Sequence, residues 1–298
     1  MNIIQICNMT ILKNFIWEDM RMNFTKWQAC GNDFIFINAI NLDITEIINQ
    51  AKLLCDRHFG IGADGIIFIL PSNKADLKMK IFNSDGSEAE MCGNGIRAFA
   101  KWALELKLVK QSCFSVETGA GILFPEVLNN GHVKVNMGAP RLSARDIPVL
   151  NLGEGKIIRK VINDCVGGTF EITCVSMGNP HTIIFTDDVE SIPLEQIGPL
   201  LERNAHFPKK TNVEFVQVLD KNLLRMRVWE RGSGITMACG TGTCAAVVAA
   251  IINGIVEKEA NVILDGGQLH ISWNGKESDS VFMTGPAIKV FEGNYCIK

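Results

Sequence analysis

The chain carries ten cysteines among its 298 residues but no Cys-x-x-Cys pair. Structural zinc sites and thioredoxin-like redox sites are built on that spacing, so both are disfavoured, and no metal site is expected. There is no basic excess either. Twenty-nine lysines and arginines face 32 acidic residues, a net charge of −3, and the basic residues are scattered rather than striped. Binding to nucleic acid is therefore not expected. No apolar run reaches the roughly 20 residues of a bilayer span, so no membrane association is expected. A secretory signal is missing too. Gln5, Asn8, Lys13 and Asn14 interrupt the apolar N-terminal stretch, and no small-residue cleavage site follows. Residues 1–21 read as an extension ahead of the first domain. The compartment reads as cytoplasmic, where thiols stay reduced.

Hydrophobic residues make up 47% of the chain, enough for a substantial core. Most thiols should fill it. Cys55, Cys113, Cys165 and Cys174 sit among apolar or strand-like residues and read that way. "GIGADG" (60–65) matches the Gly-x-Gly-x-x-Gly spacing of dinucleotide sites, but the context is inverted. A helix end precedes it and a strand follows, so it reads as a bend entering a strand.

The chain repeats itself. A constant offset of 147 residues lays "CGNDFIFIN" on "MGNPHTIIF" and "GIIFI" on "NVEFV". The same offset lays "MKIFNSDGSEAEMCGNG" on "MRVWERGSGITMACGTG". Asn32 falls on Asn179, Asn83 on Glu230, and Cys92 on Cys239, with no gap. A long register of this kind implies two equivalent domains. Strand segments are β-branched and aromatic. The helix after Cys239 is apolar all round and should be buried, ending at Asn253-Gly254. The helix after Cys92 reads as amphipathic, with Ile96, Phe99, Ala100 and Ala103 inward and Arg97, Lys101 and Glu105 outward. The fold class is α+β: two pseudo-symmetric domains, each a mixed sheet wrapped around a central helix. The domains should span 22–140 and 150–281, joined through Gly138 to Leu150.

Cys92 and Cys239 each stand before a glycine turn that opens a helix. Unpaired N–H groups and a partial positive charge gather there. They should stabilise a thiolate and lower its pKa below the free value of about 8.5. The bare amides of the adjacent glycines suit a carboxylate. Two such thiols facing one cleft fit inversion of a carbon centre, with a base on one face and an acid on the other. Amide donors at the helix ends would stabilise the developing carbanion. Asn32, Asn83, Asn179 and Asn212 lie at or near matched strand ends, where asparagine is also a common turn residue. His181 reads equally as a core histidine. Arg231, beside Glu230, offers a fork for a second carboxylate.

"GNDFIFIN", "FNSDGSEAEMCGNGIR", "MGNPH", "WERGSGITMACGTGTCAA" and "MTGPA" strongly resemble the diaminopimelate epimerase family, from Met22 to the end. The resemblance implies interconversion of LL- and meso-diaminopimelate in lysine and peptidoglycan synthesis, without pyridoxal phosphate, other cofactor or metal. It also implies a cytoplasmic homodimer, and a last strand (within 282–298) that returns to the first domain. Carried over by motif, Cys92 is the proton donor and Cys239 the acceptor, exchanging roles with direction. Gly93-Asn94 and Gly240-Thr241 correspond to the cradle for the reacting carboxylate. Asn32, Asn83, Asn179, Asn212, Glu230 and Arg231 correspond to the other substrate contacts, with Arg231 on the distal carboxylate. His181 and Glu230 correspond to residues that tune the thiols. The chain departs from the family pattern at Gly65, where many members carry glutamine, and near Phe291, where many carry tyrosine.

Three rivals stand beside this reading. Proline and hydroxyproline racemases share the two-cysteine fold but typically show Cys-Gly-His at the first motif and hold no distal carboxylate. A thiol redox switch would join Cys92 to Cys239. A non-enzymatic binding module would exchange no α-proton.

Overall fold

The computed structural model describes residues 20–163 and 168–297. Most of the 1–21 extension, and Cys165, lie outside the described residues. The first strand already begins at Met20, two residues ahead of the expected domain start.

In chain order the first half contains β1 (Met20–Ala29), β2 (Asn32–Asn38), α1 (Thr45–Asn49), α2 (Ala51–Cys55), β3 (Gly65–Leu70), β4 (Leu77–Asn83), β5 (Glu88–Ala89), α3 (Gly93–Glu105), β6 (Val116–Thr118), β7 (Gly121–Leu123), β8 (Glu126–Val127) and β9 (Val133–Asn136). The second half contains β10 (Lys160–Asn163), β11 (Thr169–Ser176), β12 (Pro180–Phe185), α4 (Leu194–Glu202), β13 (Asn212–Asp220), β14 (Leu223–Glu230), β15 (Gly234–Ile235), α5 (Gly240–Ile252), β16 (Glu259–Leu264), β17 (Gly267–Ser272), β18 (Phe282–Gly285) and β19 (Ile288–Ile297).

The two halves repeat one topology. β2 pairs parallel with β3, β3 antiparallel with β4, and β4 parallel with β6. β12, β13, β14 and β16 pair in the same senses. Parallel neighbours need a crossover, and the crossovers supply the helices. α1 and α2 follow β2 on one face, and α3 follows β4 and β5 on the other. Alternation along each strand separates the two faces. Ile35 and Ile37 pack toward α1 and α2, whereas Phe34 and Phe36 pack toward α3.

Sheet membership differs in detail from the expected domain spans. β8 and β9, inside the expected 22–140 domain, join the second sheet through β18. Within 282–298 only β19 returns to the first sheet, where it pairs with β1. β18 stays in the second sheet between β17 and β9. The reason is continuity of the core. α3 and α5 lie in one apolar cluster that also takes in Val133, Val135 and Met283, so strands from both ends of the first domain close over it.

α5 is buried from Gly242 to Ala250, and its alanines and valines let the sheet wrap it closely. It ends at Asn253, with Gly254 in the left-handed region at φ 70°. α3 departs from the amphipathic reading at one position. Arg97 does not face outward; it is fully buried. Its guanidinium donates to the carbonyls of Gly93 (3.0 Å) and Pro286 (3.2 Å) and to Asn94 Oδ1 (2.8 Å). The β18–β19 connection covers that helix face, and the charged group is held by three oxygens. No helix among the described residues is long and apolar enough to cross a membrane.

Candidate active site

α3 and α5 meet N-terminus to N-terminus. A Cβ placed on Gly93 would lie 3.9 Å from the Gly240 Cα, and one on Gly240 would lie 3.8 Å from the Gly93 Cα. Met283 fills the space beneath, so neither glycine can carry a side chain without moving it. Cys92 and Cys239 are the residues immediately before the two helices. Each adopts extended backbone, and each sulfur accepts from the third residue on: Gly95 N–H to Cys92 at 3.4 Å, Gly242 N–H to Cys239 at 3.4 Å. Here a thiol replaces the usual cap oxygen.

Both cysteines line one cavity of about 490 Å³, with Asn32, Gly93, Asn94, Asn179, Glu230, Gly240 and Thr241 also in its wall. An adjoining lobe of about 640 Å³ shares Asn32, Cys92 and Glu230 and adds Asn83, Arg57 and Asp64. Most of the residues singled out in the sequence are thus brought together. His181, Asn212 and Arg231 are not in either wall. Asn212 is buried and bridges Pro180 and Arg231, donating to the Pro180 carbonyl (2.7 Å) and accepting from the Arg231 amide (2.9 Å). The Arg231 guanidinium is exposed and donates to the Lys209 carbonyl at 3.1 Å. Among the described residues, Arg57 is the single cation lining the two lobes, and it pairs with Asp33 (2.7 Å) and Asp64 (3.0 Å).

Around Cys92 the hydrogen bonds have one direction. Arg97 only donates, and it fixes Asn94 Oδ1 as acceptor. Asn94 Nδ2 then donates to Asn32 Oδ1 (3.3 Å), while Asn32 Nδ2 donates to the Asp64 carboxylate (2.6 Å). The Cys92 thiol, 3.6 Å from Asn32 Oδ1, is left as a donor. Asp64 lies within the "GIGADG" bend. The bend has no nucleotide geometry but positions an asparagine of the cleft.

Around Cys239 the layout differs. Its sulfur lies 3.6 Å from Thr241 Oγ1, which accepts from Asn179 Nδ2 at 3.3 Å. Asn179 Oδ1 meets His181 Nε2 at 3.0 Å, and His181 Nδ1 meets Glu214 Oε1 at 2.6 Å. His181 and Glu214 are fully buried. Glu230, by contrast, lines the cavity and accepts from the Thr236 hydroxyl. The direct partner of His181 is therefore Glu214, a residue not singled out from the sequence. Its signal was present: in "NVEF" it stands two residues after Asn212, on the same strand face and inside an apolar run.

The expected lowering of the thiol pKa values does not occur. Burial pushes Cys92 up, and the Gly95 and Asn94 amides and Arg97 pull it back only in part. Burial pushes Cys239 well above its ordinary value, and the negative charges of Glu230 and Glu214 add to this. The helix-end donors are present, but loss of water outweighs them. Burial likewise raises the Glu214 carboxyl, against the pull of His181.

The diaminopimelate epimerase model matches residues 24–143 and 173–290. The diaminopimelate epimerase of Synechocystis sp. is 49% identical over 278 residues, 92% of this chain and 99% of that protein. The one from Methanococcus maripaludis is 50% identical over 276 residues, 91% and 99% of the two chains. The chain belongs to the diaminopimelate epimerase family. Members of this family are isomerases, and the enzyme class follows. Among solved structures, a phenazine biosynthesis protein of the PhzF family from Bacillus anthracis superposes with a TM-score of 0.67 at 18% identity, covering 92% of this chain and 99% of its own. A hydroxyproline epimerase from Agrobacterium vitis gives 0.66 at 14%, covering 93% of each. These show a shared fold. Gly65 sits where β3 approaches β4 closely. A Cβ there would lie 2.6 Å from the Phe82 carbonyl, so no longer side chain fits this approach of β3 to β4.

Proposed function

We propose that the chain inverts the α-carbon of LL-diaminopimelate to meso-diaminopimelate by two-base proton transfer, as a cytoplasmic homodimer. The observation that carries this reading is the meeting of two thiol-capped helix N-termini at one cavity. A carboxylate seated across the Gly93-Asn94 and Gly240-Thr241 turns faces both sets of amides. The α-carbon then lies between the sulfurs. Cys239 takes the proton as thiolate, and Cys92, held as donor by Asn32, returns one to the opposite face. The amides stabilise the negative charge that spreads onto the carboxylate in the transition state. Glu230 holds the substrate's ammonium side of the cleft. The exposed apolar side chains of Ile288, Val290 and Phe291 on the end strand β19 support a partner subunit.

The test is turnover of LL-diaminopimelate in D₂O. The expected result is deuterium at the α-carbon of the meso product, with no α-exchange of proline or hydroxyproline. Exchange of proline instead would assign the chain to the racemases that share its fold.

The pH dependence follows from the raised thiols. A group with a raised pKa is protonated at neutral pH, so the base form of the pair grows as pH rises. kcat/KM should climb through neutral pH into the alkaline range and fall only where the second thiol loses its proton. A rate that is flat between pH 6 and 9 would count against thiolate catalysis from buried cysteines.

A further inference from the structure

We propose that Glu214 is a positioning residue for the reaction: through His181, Asn179 and Thr241 it sets whether the Cys239 sulfur meets a hydrogen-bond donor or an acceptor. This rests on the reading of Cys239 as an acid/base residue. Four contacts join the buried carboxyl to the sulfur: 2.6 Å from Glu214 to His181, 3.0 Å to Asn179, 3.3 Å to Thr241 and 3.6 Å to Cys239.

Each intermediate group can face either way, so the proton count of the His181–Glu214 pair decides the direction. With a proton on Nε2 and another between Nδ1 and Oε1, Nε2–H donates to Asn179 Oδ1. Asn179 Nδ2 then donates to Thr241, and the threonine hydroxyl hydrogen is left for the sulfur. That arrangement favours the thiolate. With the Nε2 proton gone, the ring nitrogen accepts. The Asn179 amide turns over, Thr241 donates to its oxygen, and a threonine lone pair faces the sulfur. That arrangement favours the thiol. One proton thus reverses the chain. Among the described residues the chain at Cys92 runs instead between Arg97 and Asp64, which fix its direction.

Two further observations place the control in Glu214. Among the described residues its Oε2 has no hydrogen-bond partner although the residue is fully buried, a position in which a bare carboxylate is costly. Its Oε1 also lies against the first turn of α5, 2.6 Å from where a Gly242 Cβ would stand. The other titratable groups around this region are Glu230 on β14, Cys174 on β11 and Cys92 across the cleft. An enzyme that runs in both directions needs Cys239 as thiolate in one and thiol in the other. A reversible chain lets its surroundings follow.

The test is titration of Cys239 and Cys92 through their ¹³Cβ resonances in cysteine-labelled protein, for wild type, Glu214→Gln, Thr241→Val and the double variant. Glu214→Gln is expected to move the proton affinity of Cys239 by at least tenfold while leaving Cys92 within twofold. In the Thr241→Val background the same substitution should move neither, because the chain is already cut. An equal shift in both backgrounds would mean through-space charge alone and would overturn the proposal, as would no shift at all. Should Glu214→Gln not fold, Thr241→Ser and Thr241→Val read the other end. Serine should keep the coupling of Cys239 to the His181–Glu214 pair, and valine should lose it; equal coupling in both would overturn the proposal. The titration needs no substrate. Failure of diaminopimelate turnover would strike at the proposed function and leave this result standing.

Discussion

Cys239→Ala and Cys92→Ala should each lower kcat/KM for diaminopimelate about 10³-fold, within the range of about 10²–10⁴ typical of a positioned acid or base. The backbone amides of both turns survive these substitutions, so KM should change far less than kcat. The two variants should also differ in a way that a purely structural defect would not produce. Each loses inversion, because one face has no sulfur. Each retains slow solvent exchange only on the stereoisomer whose hydrogen faces the remaining thiol. Mass spectrometry of both isomers after incubation in D₂O reads this directly. Inversion above a tenth of the wild-type rate in either variant would sink the two-base assignment.

Arg97→Leu should destabilise the protein by about 2–6 kcal/mol, the cost of leaving two buried acceptors without their donor. Two acceptors lose their donor at once, the Pro286 carbonyl and Asn94 Oδ1, while the Gly93 carbonyl keeps the helical Arg97 N–H. Each such group, left buried and unpaired, costs about 1–3 kcal/mol. Arg97→Lys should recover less than half of the loss, since one ammonium cannot reach three oxygens set in a fan. Urea unfolding of the three proteins gives the comparison. The same substitution should release Asn94 and Asn32 and with them the donor geometry of Cys92, so activity should fall further than stability alone accounts for. A midpoint within experimental error of wild type would show that Arg97 is dispensable to the junction.

The repeat, the two central helices and most of the cleft were legible because they rest on local signals. Cysteine before glycine, glycine before a helix, and strands rich in β-branched residues all act over a few residues. The matched register of Asn32 with Asn179 then carried the local readings into three dimensions. What escaped depended on contacts distant in sequence. Arg97 has a helix spacing that points outward, and only the chain near Pro286 buries it. Glu214 sits in an apolar strand where its partner His181 is 33 residues away. The thiol pKa values were read from helix ends alone, whereas burial is a property of the assembled cleft. The position of β8 and β9 likewise follows from β18, which arrives near the end of the chain.

β19 completes the first sheet against β1, from the last ten described residues of the chain. A nascent polypeptide emerging from the ribosome therefore makes nearly all of the first repeat long before its edge partner exists. The halves look like modules that evolution copied, yet neither is a unit that synthesis can finish alone. A chain truncated before Ile288 would leave the exposed flank of β1 open to pairing with other chains, and the first half completes its sheet only once Ile288–Ile297 has been made.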